Sequence, residues 1–258
     1  SRSKLQRFLN AESAKEVVFT RNATHSLNQV AHGMSWSKGD VVLTTDREHN
    51  SNLVPWLQLE HEQGIDHQVV ASHADNTFDM EAFEKACADA GSQLKLVSMS
   101  HVGNLDGVKT PIKEISKVAH DYGALVCVDG AQSTPHMNVD VQDLDIDFLA
   151  FSVHKMCGPS GMGGLWGRYD LLDNLRTIQA GGQTVEHSTY DSFKWAQPPA
   201  RFEGGLGNFS GMIGTGAAVD YLSNLDMNEV NEHEIRLNQI MTDGIKDLPG
   251  IEIIGTLD

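Results

Sequence analysis

The chain has 258 residues, of which 40% are hydrophobic and 21% charged, with 24 glycines, 7 prolines and a formal charge of -16. This composition suits a globular α/β protein and excludes disordered, collagenous and coiled-coil chains. The charge disfavours nucleic acid and anionic membranes as partners, and no apolar run reaches the ~20 residues of a membrane span.

The opening residues 3–10 read as the tail of an amphipathic helix, carrying Leu5, Phe8 and Leu9. Short apolar or β-branched runs follow, expected as strands at residues 16–20, 40–45, 67–71, 94–100, 124–129 and 147–152. Helices are expected between and after them, at 25–34, 53–63, 80–90, 111–122, 214–225 and 229–248. Pro111 at a helix start and Gly123 just past a helix end fit the usual punctuation. Such alternation argues for a mainly parallel sheet covered by helices, an α/β architecture. The stretch 181–211, rich in Gly and Pro, is the one long irregular segment expected. Gly250 looks like a turn entering a strand through Ile251 to Gly255. With Ser1 at the start and that strand at the end, the chain reads as part of a longer protein.

Several chemical motifs fail on inspection. His61-Glu62-Gln63-Gly64-Ile65 lacks the second histidine of a zinc-binding HExxH, and Val108 separates Gly107 from Lys109 where a P-loop requires Gly-Lys. Gly158-Pro159-Ser160-Gly161-Met162 lacks the last glycine of a nucleophile elbow. Trp166 stands where a dinucleotide fingerprint needs glycine. The twelve histidines are dispersed, and no metal site is expected. Three cysteines, Cys87, Cys127 and Cys157, are too few for a disulfide framework, which points to a reducing, cytoplasmic setting.

One constellation survives. A strand ends in Asp129-Gly130-Ala131-Gln132, and the next ends in Ser152-Val153-His154-Lys155 before the glycine-rich 158–164. In a parallel sheet both ends open onto the same edge, where ligands bind. Asp129 and Lys155 alone would suit a structural salt bridge, but their local sequences say more. Together with Phe19-Thr20-Arg21, Glu48-His49, Asn52-Leu53-Val54-Pro55-Trp56, Ser100-His101-Val102-Gly103-Asn104 and Arg201-Phe202-Glu203, they resemble the class V aminotransferase family of pyridoxal-phosphate (PLP) enzymes. The nearest branch is that of SUF-type cysteine desulfurases and selenocysteine lyases.

The resemblance spans the whole chain and implies the large, PLP-binding domain of a fold-type I enzyme, residues 1–258, with an amino-terminal segment and a carboxyl-terminal small domain outside it. It implies a homodimer with the active site at the subunit interface. In the site it implies, Lys155 links covalently to the cofactor aldehyde and then works as a base. Asp129 keeps the pyridine nitrogen protonated. Gln132 bonds the ring oxygen, Ala131 packs on one ring face, and His49 stacks on the other and can move protons. Backbone N–H groups at the start of the helix after Thr20, with Ala23, Thr24, Ser152 and His154, would cradle the phosphate. Asn104 would hold the substrate carboxylate.

Some positions depart from the family pattern. Asn22-Ala23-Thr24 stands where Gly-Thr-Thr is common, and Val153 replaces a glycine, narrowing the backbone approach to the phosphate. Leu206 stands where a threonine from the partner subunit reaches the phosphate. The resemblance implies desulfuration of L-cysteine to L-alanine, with sulfur leaving as an enzyme persulfide for an acceptor protein in iron–sulfur cluster assembly. Alternatives are selenocysteine lyase, epimerase or kynureninase-like activity, or a non-catalytic assembly subunit. Cys127 and Cys87 are expected to be buried, and Cys157 to point into packing. The family's reactive loop cysteine and carboxylate-clamping arginine belong to the small domain.

Overall fold

Valine- and leucine-rich runs too short for a helix form strands, and the amphipathic stretches between them form helices, in the computed structural model, which describes residues 1–253. In chain order the elements are α1 (Arg2–Phe8), β1 (Val17–Thr20), α2 (Ala23–Gly33), β2 (Val41–Thr45), α3 (Val54–Gln63), β3 (Asp66–Val70), α4 (Met80–Ala90), β4 (Leu94–Ser100) and α5 (Ile112–Asp121). There follow β5 (Leu125–Asp129), α6 (Ser133–His136), β6 (Phe148–Ser152), β7 (Gly163–Gly167), α7 (Tyr169–Asn174), β8 (Val185–Ser188), β9 (Phe193–Trp195), α8 (Phe209–Ser223) and α9 (Met227–Ile245).

Seven strands form one sheet in the order β1-β7-β6-β5-β4-β2-β3. The pairs β3–β2, β2–β4, β4–β5 and β5–β6 are parallel, while β7 runs antiparallel to both β6 and β1. The expected mixed, mainly parallel sheet is therefore present. Reversing twice restores the direction of β1, so the carboxyl ends of β1, β2, β3, β4, β5 and β6 all open onto one edge. After β2 the chain steps outward to β3, then returns past β2 to β4 and proceeds the other way. This switch of direction leaves a crevice between the ends of β2 and β4.

The central strands are apolar on both faces because both faces are covered. On one side Val42, Leu96, Cys127, Phe148 and Ala150 pack with Leu27, Val30 and Trp56 of α2 and α3. On the other, Leu43, Val97, Val128, Leu149 and Phe151 pack with Phe83, Ile115, Leu5 and Val219 of α4, α5, α1 and α8. Arg2 and Glu203 form a two-pronged ion pair of 2.7 and 2.8 Å, and the same carboxylate accepts the Phe19 N–H at 2.7 Å. Glu203 of the Arg-Phe-Glu motif thus fastens α1 and β1 to the later chain.

β7 is absent from the expected strands. Its glycines resemble a loop, yet each is required by close packing. A Cβ on Gly164 would lie 2.2 Å from the Phe151 ring, and one on Gly163 would lie 2.5 Å from the Asn22 backbone. The irregular stretch also holds more order than expected: β8 and β9 form a hairpin, and α8 begins at Phe209, capped by the Asn208 side chain, which accepts the Gly211 N–H at 3.0 Å. Gly250 makes the expected turn with φ of +80°; of the strand expected after it, residues 251–253 are irregular and the rest lies outside the described residues.

Because the Asn22 backbone cannot yield as a flexible side chain would, Gly163→Ala should lower unfolding free energy by about 1–3 kcal/mol. Urea denaturation measures this; a midpoint equal to that of the parent chain would contradict the packing of β7 on the start of α2.

Candidate active site

Each site residue sits at a strand's carboxyl end because the sheet delivers it there. β5 ends in Asp129, with Ala131 and Gln132 in the turn that follows. β6 ends in Ser152, and a single helical turn, Val153–Lys155, presents His154 and Lys155. β1 leads through Asn22 into α2, which begins with Ala23 and Thr24. His49 follows β2, and Asn104 follows β4. All ten residues expected from the sequence line one cleft of about 200 Å³, together with Asn22, Ser51, Ser100 and Val102.

The cleft has an acidic floor. Asp129 is 5% exposed; its Oδ1 accepts the Ala131 N–H at 3.0 Å, and its other oxygen has no protein partner. Burial pushes its carboxyl above the usual carboxylate range, opposed by that N–H and then by the charges of Lys155 and His49. A buried carboxylate with one oxygen open to a cleft is a seat for a cationic N–H donor.

A donor-rich wall stands at the start of α2. The Asn22 side chain caps the helix by accepting the His25 N–H at 2.9 Å, and Ser152 Oγ accepts the Ala23 N–H at 2.9 Å. Two of the expected backbone donors are therefore engaged within the protein. The Thr24 N–H has no partner among the described hydrogen bonds and lies at the positive end of an 11-residue helix. Thr24 Oγ1 meets Ser51 Oγ at 2.7 Å, and Ser51 Oγ meets His49 Nδ1 at 2.9 Å. The Ser51 N–H also donates to His49 Nδ1, at 3.1 Å, which places the proton of the neutral ring on Nε2.

Two departures from the sequence reading matter, at Val153 and Cys157. Val153 does not narrow the cleft: it is fully buried, packs in the core and lies beside Gly158, where a Cβ would come within 2.3 Å of it. Cys157 is exposed rather than packed inward, held by a φ of +58°, and it does not line the cleft. His101, within the Ser100-to-Asn104 motif, is buried away from the cleft with neither ring nitrogen bonded, and burial pushes its pKa down to about 4. Cys87 and Cys127 are buried as expected, and burial pushes the Cys87 thiol up to about 12.

Sequence reasoning used Glu48 only as part of a motif, and Ser51 not at all. Glu48 binds the end of β4, and its neighbour Arg47 pairs with Asp106 in the loop that carries Asn104. A carboxylate placed four residues before an asparagine, between two apolar strands, was the available signal.

The model of the class V aminotransferase family matches residues 1–258. A probable cysteine desulfurase of Halalkalibacterium halodurans is 39% identical over 99% of this chain and 63% of its own length. The cysteine desulfurase CsdA of Escherichia coli superposes with a TM-score of 0.92 at 32% identity, over 96% of this chain and 62% of that one. A cystine C-S lyase, solved with its product cysteine persulfide and, as a variant, with glycine covalently linked to its PLP cofactor, superposes at 0.89 with 25% identity, over 99% of this chain and 68% of that one. The chain thus spans about 60% of the length of the curated relatives it matches. With its fold, its cleft and these similarities in agreement, the chain belongs to the class V aminotransferase family.

Proposed function

We propose that this chain is the large, cofactor-binding domain of a PLP-dependent cysteine desulfurase, which converts L-cysteine to L-alanine and passes the sulfur on as a persulfide. The observation that carries the reading is the convergence of a buried acid, an amine and a helix amino terminus in one cleft: Asp129, Lys155 and Thr24 at the ends of three strands. This donor set fits PLP. The open Asp129 oxygen suits a ring N–H, the α2 terminus with Thr24, Ser152 and His154 suits a phosphate, and Lys155 Nζ suits an aldehyde.

Bound PLP would supply an electron sink for the pair left at the substrate Cα. Lys155 would hold the cofactor, and its free amine would take a proton from the substrate Cα and return it as an ammonium. Asp129 holds positive charge at the ring nitrogen, and its burial makes that pairing stronger than it would be in water. Gln132 would donate its amide N–H to the cofactor, and Ala131 and His49, which line the same cleft, would border its ring. His49 Nε2 offers a second proton site, with its ring fixed by Ser51. The Asn104 amide donates to the substrate carboxylate.

Sulfur must leave to a thiolate, and none of the three cysteines lines the cleft. The thiol that takes sulfur therefore comes from another segment or another protein, and an acceptor in iron–sulfur cluster assembly fits that need. A second copy of the chain as partner is supported by Leu206, Phe209 and Ile213, which are 85%, 57% and 73% exposed. Phe209 and Ile213 are four residues apart on α8 and share a face. No helix among the described residues is long and apolar enough to cross a membrane, and a cytoplasmic location is part of the proposal.

Thr24→Ala should weaken PLP binding by about 1.5–3 kcal/mol, the worth of a hydrogen bond to a charged group; an unchanged dissociation constant in a fluorescence titration would remove Thr24 from the phosphate site. In the PLP-loaded chain, L-cysteine should change the visible spectrum, and Lys155→Ala should lose the borohydride-reducible link between the chain and the cofactor. Sulfide release should stay near background, because no cysteine stands at the cleft. A response to L-kynurenine but none to L-cysteine would replace the desulfurase reading with a kynureninase-like one.

A further inference from the structure

β4 outruns its neighbour at the switch point of the sheet. Its register with β2 ends at Leu43↔Val97, yet β4 continues to Ser100. The Glu48 carboxylate, folding back from the loop after β2, takes over there. Both of its oxygens lie 3.0 Å from the Ser100 N–H. Oε1 also accepts from Thr45 Oγ1 at 2.8 Å, and Oε2 accepts from Ser100 Oγ and Asn52 Nδ2, each at 2.7 Å. One carboxylate therefore ties the end of β2, the end of β4 and the turn before α3.

Both things it ties belong to the cleft. His49 is the next residue along the chain, and Ser100 is paired in register with Asp129. Glu48 itself does not line the cleft. Burial raises its carboxyl above the ordinary range, opposed by the four donors that face it. A merely structural role could be filled by a neutral side chain of similar shape; an acceptor for four donors could not.

We propose that Glu48 is a positioning residue for the cofactor: by clamping Ser100 and the turn after His49, it fixes the His49 ring relative to Asp129 across the cleft. The proposal rests on the PLP reading above. It assigns no contact between Glu48 and the cofactor, so its effect must pass through His49 and Ser100.

Glu48→Gln tests this, because the amide keeps the shape but turns one acceptor into a donor that faces other donors. Thr45→Val is the second variant: it removes one bond to Glu48 from a residue that does not line the cleft. PLP affinity and the visible circular dichroism of bound PLP are measured, with the melting temperature of the unloaded chain alongside. Glu48→Gln should bind PLP about fivefold or more weakly, the equivalent of one hydrogen bond, with an altered dichroic band. Thr45→Val should alter the band in the same sense by less, and it decides the matter if Glu48→Gln does not fold. Melting temperatures that fall while affinity and dichroism stay at parental values would mark a structural tie and overturn the proposal. A parent chain that binds no PLP, with no dichroic band at all, would overturn the cofactor reading and this proposal with it.

Discussion

Parallel strands cannot be joined by a tight turn, and that constraint organises everything else in this molecule. Each crossover helix returns the chain to the far edge of the sheet before the next strand begins. The consequence is that six of the sheet's seven strands end on one edge, and residue types placed just beyond those ends meet there regardless of their distance in sequence. Thr24 and Lys155 are 131 positions apart, yet they border the same cleft. The antiparallel strand β7 belongs to the same design. Its glycines let it lie flat between β1 and β6, so that Thr20, Gly163 and Ser152 fall side by side beneath the start of α2.

The cleft concentrates opposed charge without neutralising it internally. Asp129 keeps one oxygen unbonded despite being buried, and across the cleft the exposed start of α2 leaves the Thr24 N–H without a partner among the described hydrogen bonds. The buried oxygen is costly unless a ligand of matching polarity is bound. Around them Asn22 and Ser152 satisfy the neighbouring N–H groups, and Glu48 closes the end of β4. The contrast between satisfied surroundings and unsatisfied centre is what gives the cleft its directionality, acid at one side and donors at another.

Much of this was legible in the chain. The buried strands announced themselves through short apolar runs, and β4 and α4 have the bounds read from sequence, because Asp79 and Gly91 punctuate α4 and Ser100 gives way to a turn. The site residues were legible because their local sequences match the family's motifs, and each lies at a strand's carboxyl end or within four residues of it. What escaped was set by long-range packing. β7 looks like a loop until Phe151 and Asn22 are seen to leave no room for a Cβ. Val153 looks obstructive until its side chain is found in the core, and Cys157 looks buried until the left-handed backbone at that position turns it to the surface. Glu48 reads as an ordinary loop carboxylate, since its four donors come from positions three before, four after and fifty-two after it.

The central claim is that Lys155 is the covalent seat of PLP at the Asp129 edge of the sheet. Reducing the PLP-loaded chain with borohydride, digesting it and mapping the product by mass spectrometry tests this directly. The account predicts a phosphopyridoxyl group on the peptide carrying Lys155, at about one per chain. The same group spread over several surface lysines, with Lys155 unmodified, would contradict it.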